Sequence, residues 1–327
     1  MAPKNPLYTL GIDIGGTKIL AVLLDERFRV VASVKLKTKP EKGETFFLTS
    51  IDEAIEHLLQ EAGLHTKAVI GVGIGCPGFI NPKTGVVIAS ANIPFLKNYP
   101  LAAQIQRRLK LKAVVGNDVQ TGLYGEHQLG AARGRQHVIG IFLGTGIGGS
   151  LILNGQTYTG YSGAAGEVGH VLFDAHGPLC GCGKKGCVEA FAGRLAIASE
   201  AAVAAARNRA PYLASQNGTD VRLLKSGMLA KAAAADRVIA DIVRAKARIV
   251  GTLMANLVNI LNPEMVVLGG GLVEAMPRLI VPEAERAMRE LAIGASARYV
   301  KVTAAKLGDY SVAMGAAKRA WDRYHGA

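Results

Sequence analysis

Three cysteines lie close together in the segment 166–191, GEVGHVLFDAHGPLCGCGKKGCVEAF. Cys180, Cys182 and Cys187 fall within eight positions, and the glycines between them allow turns tight enough to bring three sulfurs to one point. His170, ten residues before Cys180, is the nearest candidate for a fourth ligand. A Cys3His set gives the closed tetrahedral shell of a structural zinc ion, so the spacing predicts a zinc site.

The alternative for these cysteines is one disulfide with a spare thiol. An odd number of clustered cysteines suits a metal ion better than disulfide bridges. We also expect no secretory segment, because the opening residues MAPKNPLYTL contain no long apolar run, and this too argues against a disulfide. Cys76, in an apolar run far upstream, is expected to be a small buried residue. Glu167 and Glu189 flank the cluster, so a zinc ion would hold both carboxylates in fixed positions.

The composition predicts a globular protein with two domains. The chain has 327 residues, of which 50% are hydrophobic, which is enough for two sizeable cores. The 38 basic against 25 acidic residues give a net charge of +13, which favours anionic ligands. The basic residues are scattered, with few aromatics among them, so we expect no nucleic-acid partner. No apolar segment reaches eighteen residues, and we therefore expect a cytoplasmic protein without membrane contact.

Two glycine turns follow apolar strands. Asp13 ends the first strand and precedes Gly15-Gly16-Thr17-Lys18 and a second apolar run. Such a turn presents backbone N–H groups and a hydroxyl to an anion, and Asp13 is placed to hold a water molecule on a magnesium ion. By itself this turn is weak evidence for a phosphate site, and a plain hairpin is the simpler interpretation. The turn 144–149, GTGIGG, repeats the arrangement with Thr145 in the place of Thr17. The repetition predicts two phosphate-binding hairpins facing each other across a cleft.

The remaining apolar pattern predicts an α/β fold. Three strands are followed by a helix over 45–63 and a strand over 69–74, and a short strand over 113–115 leads to Asn117 and Asp118. A second unit repeats this order. An alanine-rich helix over 190–207 and a buried strand over 265–268 belong to it. That strand leads to three glycines that would allow a flat ring or a phosphate close to the backbone: Gly269, Gly270 and Gly271.

Five motifs together resemble the ROK family of bacterial sugar kinases and related repressors. They are DIGGTK at 13–18, ND at 117–118, GTGIGG at 144–149, ExGH at 167–170 and CGCGxxGCxE at 180–189. The resemblance implies the actin-like ATPase (ribonuclease H-like) fold, in which two α/β domains close over a sugar and ATP in a central cleft. We expect a small domain over 1–117, with residues 311–327 packing back on it, and a large domain over 118–310 with the zinc motif.

The resemblance also implies roles for individual residues. Asp118 matches the catalytic base. The sugar-binding positions of the family match Asn92, Glu167, His170 and Glu189. Gly78 and Asn117 lie beside the sugar in the same pattern. The phosphate motifs match Asp13, Gly15, Gly16, Thr17 and Lys18 in the first turn and Gly144, Thr145 and Gly146 in the second. The adenosine motif matches Gly269, Gly270 and Gly271.

His170 has a double role in this pattern, as a sugar contact and as a zinc ligand with the three cysteines. Taken alone, Asp118 would be a carboxylate that caps the helix after its strand. Asn92, Glu167 and Glu189 would likewise be solvated loop residues if the other motifs were missing. The complete set favours the catalytic interpretation.

The expected activity is ATP-dependent phosphorylation of the 6-hydroxyl of a hexose, with glucose first because the sequence looks most like the glucokinases of the family. The alternatives are N-acetylglucosamine or N-acetylmannosamine kinase, fructokinase, and a sugar-sensing repressor without catalysis. Family repressors carry an additional N-terminal DNA-reading domain, and the first strand begins near residue 7, so we expect an enzyme. The cofactors would be ATP, Mg²⁺ and structural Zn²⁺, and we expect a homodimer or homotetramer.

Overall fold

Two five-stranded sheets, each with its own helices, make up the framework of the chain. The computed structural model describes residues 7–216 and 219–325, so residues 1–6 and 326–327 at the ends of the predicted domains lie outside the described residues. The strands are β1 (Tyr8–Ile14), β2 (Lys18–Leu24), β3 (Val30–Lys37), β4 (Val69–Cys76), β5 (Phe79–Ile80), β6 (Val87–Ala89), β7 (Ala113–Asn117), β8 (Val138–Leu143), β9 (Ile147–Leu153), β10 (Gln156–Tyr158), β11 (Met265–Gly269) and β12 (Lys301–Ala304).

The α-helices alternate with these strands, as the α/β prediction required. They are α1 (Gly43–Glu61), α2 (Leu101–Leu109), α3 (Asp118–Gln128), α4 (Val188–Ala192), α5 (Arg194–Ala206), α6 (Pro211–Ser215), α7 (Ser226–Ala235), α8 (Arg237–Leu261), α9 (Gly271–Ala275), α10 (Pro277–Leu291), α11 (Gly294–Ala297) and α12 (Ser311–Tyr324).

The two sheets have the same topology. The first has the order β3-β2-β1-β4-β7 and the second the order β10-β9-β8-β11-β12. In each sheet, the first three strands of this order form an antiparallel meander that ends at β1 or β8. The last two strands run parallel to that strand. Each sheet therefore contains one glycine-turn hairpin, β1–β2 or β8–β9, as the repeated motif predicted.

Helices cover both faces of the first sheet, which explains its continuous apolar strands. Leu10 and Ile12 of β1 share a buried core with Phe47 of α1. On the other face α12 approaches so closely that a Cβ at Gly11 would lie 1.9 Å from the carbonyl oxygen of Ala313. The glycines of β1 and β4 thus allow the C-terminal helix to lie directly on this sheet.

The second sheet carries its own core. Ile139 and Ile141 of β8 share this core with residues of α5, α7 and α8, including Ile197, Leu229 and Val243. The long helix α8 packs along α10, where a Cβ at Gly251 would lie 2.5 Å from the Ala284 carbonyl oxygen. The glycine-turn hairpin β8–β9 therefore belongs to a sheet with a buried helical core of its own.

The chain divides at a different place from the predicted domain boundary between residues 117 and 118. The described part of the first unit comprises 7–134, 159–165 and 309–325, and that of the second comprises 135–158, 166–216 and 219–308. The helix α3 belongs to the first unit because it packs against α12: a Cβ at Gly315 would lie 2.1 Å from the carbonyl oxygen of Thr121. The helix α3 therefore stays with the sheet of the strand that precedes it, β7.

Candidate active site and metal centre

The first glycine turn is held in shape by the residue that follows β3. The Gly15 N–H donates to the Lys18 carbonyl at 2.8 Å, which closes the turn. The Thr38 hydroxyl donates to the Gly15 carbonyl at 2.6 Å, and the Thr38 N–H donates to the Thr17 carbonyl at 3.2 Å. Thr38 is fully buried, and no motif in the sequence singled it out. Asn92 lies next to Gly16 of this turn, since a Cβ at Gly16 would be 3.4 Å from the Asn92 Cβ.

Lys18 is ion-paired rather than extended into solvent. Its ammonium group donates to Asp309 Oδ1 at 3.1 Å, and the Lys35 ammonium donates to Asp309 Oδ2 at 3.0 Å. Asp309 follows β12 and precedes α12, so it comes from the far end of the sequence. The predicted phosphate ligand Lys18 therefore shares a carboxylate with a second lysine, and neither partner was predicted.

Asp13 lies at the end of β1 beside other charges. Its pKa is raised from 3.8 to about 7, first by burial and then by the Asp118 carboxylate, while the Lys18 ammonium lowers it. The Asp309 carboxylate raises this pKa and the Lys35 ammonium lowers it, by smaller amounts. Two carboxylates, Asp13 and Asp118, are thus close enough to interact, and an added cation would relieve their repulsion.

Asp118 is the first residue of α3, and its neighbour caps this helix. The Asn117 side-chain oxygen accepts a hydrogen bond from the Gln120 N–H at 3.0 Å, which is the N-cap arrangement. The Asn117 amide donates to the Gly78 carbonyl at 3.1 Å. Gly78 has a φ of 117°, and a Cβ there would lie 2.1 Å from the Ala89 carbonyl oxygen. Asn117 fulfils the capping role considered for Asp118, whose Oδ1 accepts from the Val119 N–H at 2.9 Å.

Glu189 supports the second glycine turn. Its Oε2 accepts the Ile147 N–H at 2.9 Å, and a Cβ at Gly146 would lie 2.0 Å from that oxygen. Its Oε1 is 3.3 Å from the Cys180 sulfur. This predicted sugar residue therefore joins the cysteine cluster to the turn, and Gly146 is glycine because Glu189 occupies the space of a side chain.

Arg194 is the second support of this turn. Gly193 interrupts the predicted helix 190–207, so α4 ends at Ala192 and α5 begins at Arg194. The Arg194 guanidinium donates to the Thr145 hydroxyl oxygen at 3.1 Å and to the Leu224 carbonyl at 3.1 Å. The periodicity of the alanine-rich stretch contained no signal for this break.

Packing explains two of the three glycines after β11. A Cβ at Gly269 would lie 2.7 Å from the Phe142 ring, and one at Gly270, where φ is 83°, would lie 2.7 Å from the Leu143 carbonyl oxygen. A Cβ at Gly271 would touch only the Ser226 side chain, at 3.4 Å. Gly271 begins the short helix α9. An adenosine role for these glycines stays a prediction.

The four predicted zinc ligands come together. The ligand atoms of His170, Cys180, Cys182 and Cys187 all lie within 4.8 Å of one another. The Cys182 and Cys187 sulfurs are 3.7 Å apart, and the Cys180 sulfur is 3.7 Å from His170 Nδ1. His170 Nε2 points to Glu167, whose Oε2 is 3.9 Å away. This group could hold a metal ion through one imidazole nitrogen and three sulfurs.

The ROK family profile matches residues 9–322. The chain belongs to the ROK family. Among its relatives in the ROK family, the glucokinase of Halalkalibacterium halodurans is 33% identical over 84% of this chain and 83% of its own length. The N-acetylmannosamine kinase of Citrobacter koseri is 33% identical over 81% of this chain and 83% of its own length.

A solved ROK structure has the same fold. It is the ROK family glucokinase from Streptomyces griseus in complex with glucose and AMPPNP, which is 33% identical, has a TM-score of 0.84, and covers 96% of this chain and 99% of its own. The actin-like ATPase fold predicted from the motifs is therefore confirmed. Within residues 7–216 and 219–325, no helix is both long and apolar enough to cross a membrane.

The predicted site residues of this ROK protein fall into two sets. The first unit holds Asp13, Gly15, Gly16, Thr17, Lys18, Gly78, Asn92, Asn117 and Asp118. The second unit holds Gly144, Thr145, Gly146, Glu167, His170, Cys180, Cys182, Cys187, Glu189, Gly269, Gly270 and Gly271. Within each unit the hydrogen bonds above connect several members, and they add Thr38, Asp309 and Arg194.

Proposed function

We propose that this chain is an ATP-dependent hexose kinase that phosphorylates the 6-hydroxyl of its sugar, with glucose as the first candidate. The observation that carries the proposal is the similarity to the Streptomyces griseus ROK glucokinase, which binds glucose and AMPPNP and matches nearly the whole of both chains. In this proposal Asp118 takes the catalytic position of the family, and its helix is capped by another residue, Asn117.

Asp118 would act as the general base. Its carboxylate takes the proton of the sugar hydroxyl while that oxygen attacks the γ-phosphorus of ATP; the bond from the γ-phosphorus to the bridging oxygen breaks, and ADP leaves. The N–H groups of the two glycine turns would donate to the phosphate oxygens. A magnesium ion bound with ATP would neutralise phosphate charge, and Asp13 is placed to hold one of its water ligands.

The cysteine cluster fits zinc. A tetrahedral zinc ion, with Zn–S of about 2.3 Å and Zn–N of about 2.0 Å, separates its ligand atoms by roughly 3.5 to 3.8 Å. The two distances of 3.7 Å agree with these values. Three sulfurs and one nitrogen leave no open position for water, so the ion would be structural and act by holding Glu167, His170 and Glu189 in place.

Enzyme assays with a panel of sugars test the proposal. The purified protein is incubated with ATP and glucose, mannose, fructose, N-acetylglucosamine or N-acetylmannosamine, and ADP and the sugar 6-phosphate are measured. We expect glucose to have the highest kcat/KM. A highest value for N-acetylmannosamine would support the second candidate, which the Citrobacter koseri relative favours. Phosphorylation of none of these sugars would contradict the proposal.

The oligomeric state, a homodimer or homotetramer, stays a prediction, and analytical sedimentation measures it.

Two glycines of the second turn should respond differently to a methyl group. A Cβ at Gly144 meets no atom within 4 Å, whereas a Cβ at Gly146 would displace Glu189. If the turn binds phosphate, Gly144→Ala fills space that the phosphate needs, and we expect KM for ATP to rise roughly tenfold while KM for glucose and Tm stay unchanged. Gly146→Ala should raise both KM values. An unchanged KM for ATP in Gly144→Ala would contradict a phosphate role for this turn.

Asp13→Asn should stabilise the protein in a pH-dependent way. The folded pKa of about 7 lies above the ordinary 3.8, so between these values the folded state binds more protons than the unfolded state. The free energy of unfolding of the parent therefore falls as the pH rises from about 4 through about 7. We expect Asp13→Asn to equal the parent below about pH 4 and to exceed it by roughly 2 to 4 kcal/mol at about pH 8. The same variant should also have a lower kinase activity than the parent.

Urea unfolding without ATP or magnesium at several pH values measures this difference. Asp25→Asn serves as a control of opposite sign: although burial raises the pKa of Asp25, hydrogen bonds from the Arg29 backbone and side chain lower it overall. The stability that the Asp25 carboxylate contributes is present above its ordinary pKa and is lost as the pH falls through its pKa in the folded state. Asp25→Asn should therefore be less stable than the parent near neutral pH. Parallel curves for Asp13→Asn and the parent would refute the raised pKa.

A further inference from the structure

A buried glutamine joins the helix of Asp118 to a loop. Gln120 lies two residues after Asp118 on α3 and is 7% exposed. Its side-chain Nε2 donates to the Gly163 carbonyl at 3.0 Å and to the Ala165 carbonyl at 3.4 Å. Both acceptors belong to the loop 159–165, which follows β10, so one amide group anchors two points of this loop.

The loop depends on this anchor for its shape. Gly160 and Gly163 have φ angles of 70° and 89°, so the chain turns twice within a few residues. The Ala165 N–H donates to the Thr159 carbonyl at 3.0 Å and closes the loop. If the Gln120 amide were removed, the carbonyl groups of the half-buried residues Gly163 and Ala165 would lose this donor, and the loss of a partly buried hydrogen bond destabilises the conformation that holds it.

The position of the loop in the chain connects this anchor with the sugar residues. The loop belongs to the first unit, whereas the residues before and after it belong to the second. Glu167 follows Ala165 by two residues, and His170 follows three residues later. The anchored loop therefore fixes the point from which the chain continues to two of the residues assigned to the sugar.

We infer that Gln120 is a positioning residue for the sugar: through the carbonyl groups of Gly163 and Ala165 it holds the loop 159–165 and thereby places the segment of Glu167 and His170. This inference rests on the proposed kinase function and extends it to a residue that no motif identified. Because the phosphate turns do not contain this loop, the effect should fall on the sugar and not on ATP.

Gln120→Glu is the sharpest test, because it keeps the shape of the side chain and replaces the donor by a carboxylate that faces two carbonyl oxygens. We expect KM for glucose, and Kd for glucose without ATP, to rise roughly tenfold or more, while KM for ATP stays within about twofold. Hydrogen exchange of the amides 159–165 should become faster. Gln120→Asn keeps an amide donor on a shorter side chain and should recover part of the glucose affinity.

Gln106→Glu is the matched control. It removes the same kind of bond in the same unit, from Gln106 Nε2 to the Ala113 carbonyl at 3.2 Å, and should leave both KM values unchanged. An unchanged glucose KM in Gln120→Glu, or an equal rise of both KM values together with a lower Tm, would overturn the inference while the active parent still supports the kinase function. A parent protein that phosphorylates no sugar would remove both proposals.

Discussion

Asp118→Asn is expected to lower kcat by about 10²-fold to 10⁴-fold, because general-base catalysis typically contributes that much. The asparagine side chain has nearly the same shape, but it cannot accept the proton of the sugar hydroxyl. The helix should keep its N-terminus, since Asn117 provides the cap through its bond to the Gln120 N–H. We therefore expect the Kd for glucose to change little, and Tm to stay at or above the parental value because the variant removes the repulsion between Asp118 and Asp13.

Steady-state kinetics, calorimetric titration with glucose and thermal unfolding measure these quantities. Asp241→Asn is a suitable control, because Asp241 lies on α8 of the second unit and forms surface ion pairs with Arg237 and Arg244. Such pairs contribute little, so this variant should retain parental turnover. A kcat within a few-fold of the parent in Asp118→Asn would show that another group, or no group, takes the proton.

Cys180→Ala is expected to abolish stoichiometric zinc binding and to weaken glucose binding by roughly tenfold to a hundredfold. The variant removes one of the three sulfurs that lie with His170 Nδ1 in one cluster. It also removes the contact of 3.3 Å between the Cys180 sulfur and Glu189 Oε1. Both His170 and Glu189 would lose a fixed neighbour, so the sugar affinity should fall before the whole chain unfolds.

Metal analysis of the purified protein and titration with glucose check this expectation. Cys76→Ala is the matched control, because Cys76 is a buried cysteine of the first unit that lies outside the cluster. It should keep one zinc ion per chain. A chelator should reproduce the effect of Cys180→Ala on the parent and leave the variant unchanged. Purified parent protein without zinc, or a Cys180→Ala variant with full glucose affinity, would refute the role given to the metal.

The contact between Glu189 and the second glycine turn connects the metal cluster with the predicted phosphate site. One carboxylate oxygen of Glu189 accepts the Ile147 N–H, and the other lies against Cys180. Loss of the metal should therefore also disturb the turn, and KM for ATP should rise together with the glucose Kd in Cys180→Ala. In Gln120→Glu, by contrast, only the sugar should be affected.

The amino-acid sequence by itself determined the features that short segments encode. Apolar runs and glycine turns predicted β1, β2, β8 and β9, because strand burial and turn conformation depend on neighbouring residues. The spacing of the three cysteines predicted the metal cluster for the same reason. A segment of eight residues with glycines between the ligands can bring its three sulfurs together by local turns alone. The motif order predicted the fold.

Only the tertiary structure decided which residues support these local features. Thr38 meets Gly15 across 23 positions, Arg194 meets Thr145 across 49, and Lys18 meets Asp309 across 291. Asn117, and not Asp118, caps α3 because the strand before it runs two residues further than its apolar pattern indicated. The domain boundary lies beyond α3 because glycines of α3 and α12 allow close packing. Such contacts join residues far apart in the chain, and the folded backbone alone brings them within hydrogen-bond distance.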